Sequence, residues 1–362
     1  MKIVEPTLLL DKKKCLRNIE MMCKKARQHN LLFRPHFKTH QSGQIGNWFR
    51  DYGVNRISVS SLNMAQYFAD KGWDDITVAF PLNILEIEKI NRLASHIRLN
   101  LLVESLEIVS QLRLKVKFPV NLFVKIDVGY HRTGLEEEDI PVIEDILNEI
   151  NESDLLTFIG FLTHAGHSYH AKNITEIEKI HHESMAILNR LKKRYLKEFP
   201  DLIISIGDTP TCSLMNDFSL IDEIRPGNFV FYDLMQWRIG ACSLDQIAVA
   251  MACPVVAKHP KRSEIVVYGG AVHFSKDRAI LPDGREFYGL LVDLHENGWD
   301  IPDKFSYLKS LSQEHGVLKV DEEYFNKIQE GDVVGILPIH SCLTANLMKS
   351  YLTLDGEIIT TM

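Results

Sequence analysis

The segment Arg34-Pro35-His36-Phe37-Lys38-Thr39-His40 places a lysine among imidazoles at the end of a short apolar run, a setting in which an amine can do carbonyl chemistry. Alternate residues of a strand share a face, so Arg34, His36 and Lys38 would point one way and Pro35, Phe37 and Thr39 the other. An inward lysine at a barrel mouth is costly unless paired or used. Desolvation there lowers its pKa toward the neutral amine that a Schiff base needs. A salt-bridged structural lysine fits the same motif equally well, and this segment alone does not separate the two.

Further segments carry polar groups at the ends of apolar runs. Lys125-Ile126-Asp127-Val128-Gly129-Tyr130-His131-Arg132-Thr133-Gly134 runs from a strand into a turn that presents Asp127 and Arg132, either of which could be a surface ion pair. His164-Ala165-Gly166-His167-Ser168-Tyr169-His170 offers three imidazoles and a phenol; His164 and His167 could bind a metal, although a loop does not fix their geometry. Gly207-Asp208-Thr209-Pro210-Thr211 and Arg225-Pro226-Gly227-Asn228 are small-residue loops whose N–H and hydroxyl groups suit an anion. Pro338-Ile339-His340-Ser341-Cys342 sets an imidazole and a thiol two residues apart, on one face if the strand continues. Both are good zinc ligands, and two protein ligands would leave positions for water or substrate. A buried cysteine beside a hydrogen-bonded histidine is the structural alternative.

These segments need a scaffold that brings them together. Between Leu31 and Asp233, short β-branched runs alternate with segments of helical period, as βα units do. Eight strands are expected: Leu32–His36, Arg56–Ser60, Ile76–Phe80, Ile97–Val103, Val120–Ile126, Leu156–Thr163, Leu202–Ile206 and Ile221–Arg225. That pattern predicts an α/β fold, a (β/α)8 TIM-type barrel over residues 12–235, with the polar segments at the strand ends where barrel enzymes build their sites. The loops after the last two strands are the usual phosphate cradle of such a barrel. After Asp233 the runs Ile247–Val256, Ser263–Tyr268, Val317–Val320, Asp332–Leu337 and Tyr351–Ile359, with turns at Pro282-Asp283-Gly284 and Asp355-Gly356, predict a smaller all-β domain over 236–362. Residues 1–11 would add a strand to it.

Composition removes other classes. With 45% hydrophobic and 25% charged residues, the 362-residue chain sits at the average for globular proteins. A net charge of −7 argues against a nucleic-acid partner, because phosphate backbones are bound by surplus Lys and Arg. No run is long and apolar enough to span a membrane and the opening residues do not form a signal peptide, so a cytoplasmic protein without membrane contact is expected. Six cysteines without paired spacing point to reduced thiols, and only Cys342 has a neighbour that suggests chemistry.

Taken together, the segments resemble the fold-type III pyridoxal-phosphate enzymes and, within them, the D-serine dehydratase and D-threonine aldolase group. Arg34 to His40 looks like the Schiff-base lysine motif, and His340-Ser341-Cys342 like the group's metal pair. The resemblance implies that Lys38 anchors pyridoxal 5'-phosphate, that Arg132 lies near the pyridoxal phenolate oxygen as in alanine racemases, and that His164 and Tyr169 flank the cofactor. It also implies that Thr209, Gly227 and Asn228 meet the phosphate, and that His340 and Cys342 hold a divalent metal, expected to be zinc. Aldolases of the group usually show His-x-Asp where dehydratases show His-x-Cys, so Cys342 favours dehydration.

The implied function is a lyase for a β-hydroxy D-amino acid, with D-serine dehydrated to pyruvate and ammonia. Lys38 would take the Cα proton, and zinc would stabilise the leaving hydroxyl. Aldol cleavage to glycine and an aldehyde is the nearest alternative. A racemase would need a second base that the sequence does not identify. A metallohydrolase using His36, His40, His164 and His167 would not need Lys38, and a cofactor-homeostasis protein would lack the β domain. The resemblance further implies a homodimer.

Overall fold

The computed structural model describes residues 3–281, 283–302 and 304–362, so Pro282 of the expected turn lies outside the described residues. The chain divides into two compact units. One holds Glu20–Lys38 and Ile45–Gly227; the other holds the described residues up to Ile19, Thr39–Gln44 and Asn228–Met362. Among the described residues, no helix is long and apolar enough to cross a membrane.

The first strand, β1 (Thr7–Leu10), belongs to the second unit. The first unit is built on β2 (Leu32–Phe33), β3 (Ile57–Val59), β4 (Asp75–Pro81), β5 (Arg98–Val103), β6 (Val120–Lys125), β7 (Leu156–Leu162), β8 (Ile203–Ile206) and β9 (Glu223–Ile224). All are parallel, and they pair in the order β2-β9-β8-β7-β6-β5-β4-β3. A parallel bridge between His36 and Ser58 joins the two ends, so the eight strands close into the expected barrel. Closure needs one very close approach: a Cβ on Gly160 of β7 would sit 1.9 Å from the Ile203 carbonyl oxygen.

Sequence chemistry sets the layers. Phe37 points outward into a cage of Phe49, Phe68 and Trp73, with ring centroids 5.0–5.1 Å away, and welds the chain after β2 to the surrounding helices. Arg34 points inward, as the alternation predicts, and is nearly out of solvent. The barrel interior is polar around it. Asn100 donates to Asp75 at 3.0 Å and to Thr77 at 3.2 Å, and Asn121 donates to Asn100 at 2.8 Å.

In the second unit, Val249–His259 pairs with Val333–Pro338 on one part of its length and with Glu264–Tyr268 on another. The path continues through His315–Lys319, Tyr307–Leu311 and Gly289–His295 back to Val333–Pro338, which closes an antiparallel barrel. β1 pairs antiparallel with Val249–His259 and parallel with Ser350–Thr353, so the opening residues do contribute a strand. Gly289–His295, Gly298–Asp300 and Tyr307–Leu311 are strands that the sequence reading did not anticipate.

Candidate active site

In the barrel unit the functional side chains follow the C-terminal ends of the strands. Lys38 lies just beyond the His36–Ser58 bridge, with its backbone N–H donating to His36 Nδ1 at 3.3 Å. Its side chain is exposed. The desolvation expected of Lys38 is not found: the extended pairing ends at His36, and the side chain two residues further on is exposed. The lysine that burial does affect is Lys125 at the end of β6, which the sequence reading passed over. Desolvation, with Arg225 and Arg132 adding repulsion, pushes its pKa down to about 8.

Beyond β6 the Asp127 carboxylate is used to shape the loop. It accepts from the backbone N–H groups of Gly129 and Tyr130, each at 2.9 Å, and so turns the chain to present Arg132. Gly134, at φ +115°, brings its α-carbon against the Asp127 backbone, where a Cβ would be 2.6 Å from nitrogen. The Arg132 guanidinium lies over the Tyr130 ring, 4.9 Å from its centroid.

Past β7, His164 hydrogen-bonds the Gly207 carbonyl through Nδ1. Burial pushes its pKa down to about 3, and the positive charges of Lys38, Arg132 and Arg225 push in the same direction, so the imidazole is neutral. The three cations thus all add positive potential at one buried ring, a field suited to an anionic ligand. Tyr169 accepts a hydrogen bond from the Thr209 N–H at 3.1 Å, and Ser168 donates to Asp208 at 2.9 Å. Asp208 also accepts from the Thr211 N–H and hydroxyl, which ties the β7 and β8 loops together. Thr209 Oγ1 is buried with no partner, a donor that a phosphate oxygen would satisfy. Gly227 ends this unit, two residues after buried Arg225, whose Nε donates to Ser205 at 2.7 Å. The cationic mouth and the orphaned threonine hydroxyl fit a phosphate-bearing aldehyde cofactor anchored at Lys38.

In the second unit the His340–Cys342 geometry differs from the extended arrangement expected. The strand stops at Pro338, His340 caps the helix Ser341–Met348, and Cys342 lies in its first turn. The helix starts here because Asp233 accepts from the Ser341 N–H at 3.0 Å and from its hydroxyl at 3.3 Å. The two side chains still influence each other, since Cys342 is among the groups that raise the His340 pKa. Burial alone would lower the His340 pKa, but the hydrogen bond to Asp277 together with Cys342 carries it up to about 11. Cys342 Sγ is 3.3 Å from Thr39 Oγ1 and 3.5 Å from Asn228 Nδ2. Asn228, expected at the phosphate, thus directs its side chain to Cys342, and also to Asp233 at 2.6 Å and Ser341 at 3.1 Å.

An imidazole and a thiol two residues apart at one helix start fit a borderline-soft divalent ion, with the remaining positions left to water or substrate. Among the described residues no group of three or more His, Cys, Asp or Glu gathers that could hold a metal. The four-imidazole centre of a metallohydrolase is therefore not assembled.

Residues 10–234 match the family model "Alanine racemase, N-terminal domain", and residues 248–354 match "Putative serine dehydratase domain". The chain is 30% identical to the D-serine dehydratase of Dictyostelium discoideum over 90% of its own length and 86% of that protein. The solved D-threo-3-hydroxyaspartate dehydratase from Delftia sp. HT23 superposes with a TM-score of 0.90 at 25% identity, covering 100% of this chain and 98% of that one. A solved cysteine-to-alanine mutant of that enzyme, described as the metal-free form, superposes with a TM-score of 0.91 at 24% identity over the same shares of the two chains. The chain belongs to the fold-type III pyridoxal-phosphate family, in the D-serine dehydratase group, where an alanine racemase-type barrel is joined to a serine dehydratase domain.

Proposed function

We propose that this protein is a pyridoxal-phosphate-dependent lyase that converts D-serine to pyruvate and ammonia with the help of a zinc ion. The observation that carries the choice of dehydration is Cys342, in the first turn of the helix that His340 caps, a thiol where aldolases of the group usually place a carboxylate.

The cofactor-binding domain, drawn from the sequence as 12–235, is the barrel unit Glu20–Lys38 and Ile45–Gly227, and the β domain, drawn as 236–362, is the other unit. When bound, the cofactor supplies an electron sink for charge developing at Cα, and the metal a Lewis acid for the departing hydroxyl. Lys38 anchors the cofactor and, once released, takes the Cα proton on Nζ. Thr209, Tyr169, Gly227 and the Asn228 backbone hold the phosphate. Arg132 faces the ring oxygen, and neutral His164 borders the ring without adding charge. His340 and Cys342 hold the zinc. The released enamine hydrolyses, so D-serine gives one pyruvate and one ammonia. Family resemblance also supports a homodimer working in the cytoplasm.

The test is product analysis. Purified protein incubated with D-serine releases pyruvate and ammonia in equal amounts, while D-threonine yields little glycine. Glycine and acetaldehyde as the main products from D-threonine would reassign the protein to the aldolases.

A further inference from the structure

We propose that Asp277 is the positioning residue of the His340–Cys342 pair: its carboxylate holds the imidazole by Nδ1 and so leaves Nε2 as the atom offered to the metal. The inference rests on the zinc reading of the pair given above. Its geometry lies within one unit of the chain.

Asp277 Oδ2 is 2.9 Å from His340 Nδ1, and both side chains are half-buried. A histidine presents two nitrogens, and whichever donates to a carboxylate is removed from the metal's choice. The carboxylate also makes the ring a stronger ligand, the outer-shell arrangement that accompanies metal-bound histidines.

The loop that carries Asp277 is built to stay in place. It follows the short helix Ala271–Phe274 and turns at Ser275, whose φ is +71°. The Asp277 N–H donates to Ser275 Oγ at 3.1 Å. From the facing helix, Thr344 Oγ1 is 3.1 Å from the carbonyl oxygens of both Phe274 and His340. One hydroxyl therefore pins the Asp277 loop to the turn that bears His340. Among the described residues no group of three or more such donors gathers, and the Asp277 carboxylate is assigned to the imidazole rather than to the metal.

An exposed aspartate–histidine pair with no such duty would contribute little and affect only local stability. The two roles are separated by metal affinity. Metal-depleted protein is titrated with Zn2+ against a chromophoric chelator, for the wild type, Asp277→Asn, Asp277→Ala, His340→Ala and Cys342→Ala. Melting curves check the folding of each. Positioning predicts a zinc affinity weakened by about 10- to 100-fold in Asp277→Ala, with a smaller loss in Asp277→Asn, whose amide oxygen still accepts from Nδ1. It also predicts that 15N spectra of the zinc-loaded wild type show His340 protonated at Nδ1 with Nε2 on the metal, and that this single arrangement fades in zinc-loaded Asp277→Ala. His340→Ala and Cys342→Ala lose the site altogether. Wild-type affinity in folded Asp277→Ala overturns the positioning role while leaving the zinc site standing. If the wild type binds no zinc, or if His340→Ala and Cys342→Ala bind it as tightly as the wild type, the zinc reading fails first and the Asp277 role falls with it.

Discussion

Arg34 Nε lies 2.7 Å from Glu223 Oε2 inside the barrel, with at most 4% of either side chain exposed. The same guanidinium reaches Asp75 at 2.5 Å, and Ser205 donates to the other Glu223 oxygen at 2.7 Å. The arginine of the motif that carries the proposed anchor Lys38 is thus a structural tie between β4 and β9. Glu223→Ala strips a buried cation of one partner, and loss of one member of such a pair costs about 3–5 kcal/mol. Urea unfolding of the variant is expected to show a clearly lowered midpoint with an unchanged slope.

Lys125 predicts a pH dependence. Its folded pKa of about 8 lies below the ordinary 10.5, so between these values the unfolded chain binds more protons and stability rises with pH. The shift corresponds to roughly 3 kcal/mol, and with 6% of the residue exposed little of that is screened away. Cofactor-free wild type and Lys125→Met are compared by urea unfolding at about pH 7.5 and about pH 10. Lys125→Met is the more stable at the lower pH, and the gap closes at the higher. A constant gap would mean that Lys125 is not depressed.

The barrel was legible because each strand is a compact β-branched run between helical segments, and the observed limits fall close to those expected. The β domain was less so. Tyr307–Leu311 hides its alternation behind a register shift between Leu308 and Ser310. Gly289 opens a strand where glycine reads as a turn, because a Cβ there would lie 2.6 Å from Ile336. The turn into the Cys342 helix depends on Asp233, more than a hundred residues earlier, a partner that local spacing cannot reveal. The exposure of Lys38 and the burial of Lys125 escaped the sequence for a similar reason. Strand alternation gives the direction of a side chain, but burial depends on how far past the last barrel bridge the residue stands.

Gly166 is required by the Tyr130 ring, since a Cβ would sit 2.3 Å from Tyr130 Cε1. Gly166→Ala must displace that ring, at a cost of about 1–3 kcal/mol from overpacking. Because Arg132 rests on Tyr130, the variant is also expected to hold pyridoxal phosphate more weakly. Adding Tyr130→Ala relieves the clash and restores stability, but leaves cofactor affinity low. Equilibrium dialysis with the cofactor, beside melting curves, checks both parts. Full recovery of affinity in the double variant would remove Tyr130 as the support of Arg132.

Removal of the metal is expected to separate cofactor binding from turnover. The proposed anchor, Lys38, and the proposed phosphate contacts Tyr169, Thr209 and Gly227 belong to the barrel unit, whereas His340 and Cys342 belong to the other. Chelation should therefore leave the yellow cofactor absorbance in place while pyruvate release from D-serine stops, and added zinc should restore it. Cys342→Ala goes further. It removes the sulfur that Thr39 and Asn228 approach at 3.3 and 3.5 Å, so it loses the metal and the activity together, and zinc does not rescue it. Borohydride reduction of the same variant should still fix the cofactor to the Lys38 peptide, which shows that the barrel site is intact. Metal analysis of active protein that finds no divalent ion, with a rate untouched by strong chelators, would make His340 and Cys342 structural and remove the metal from the reaction.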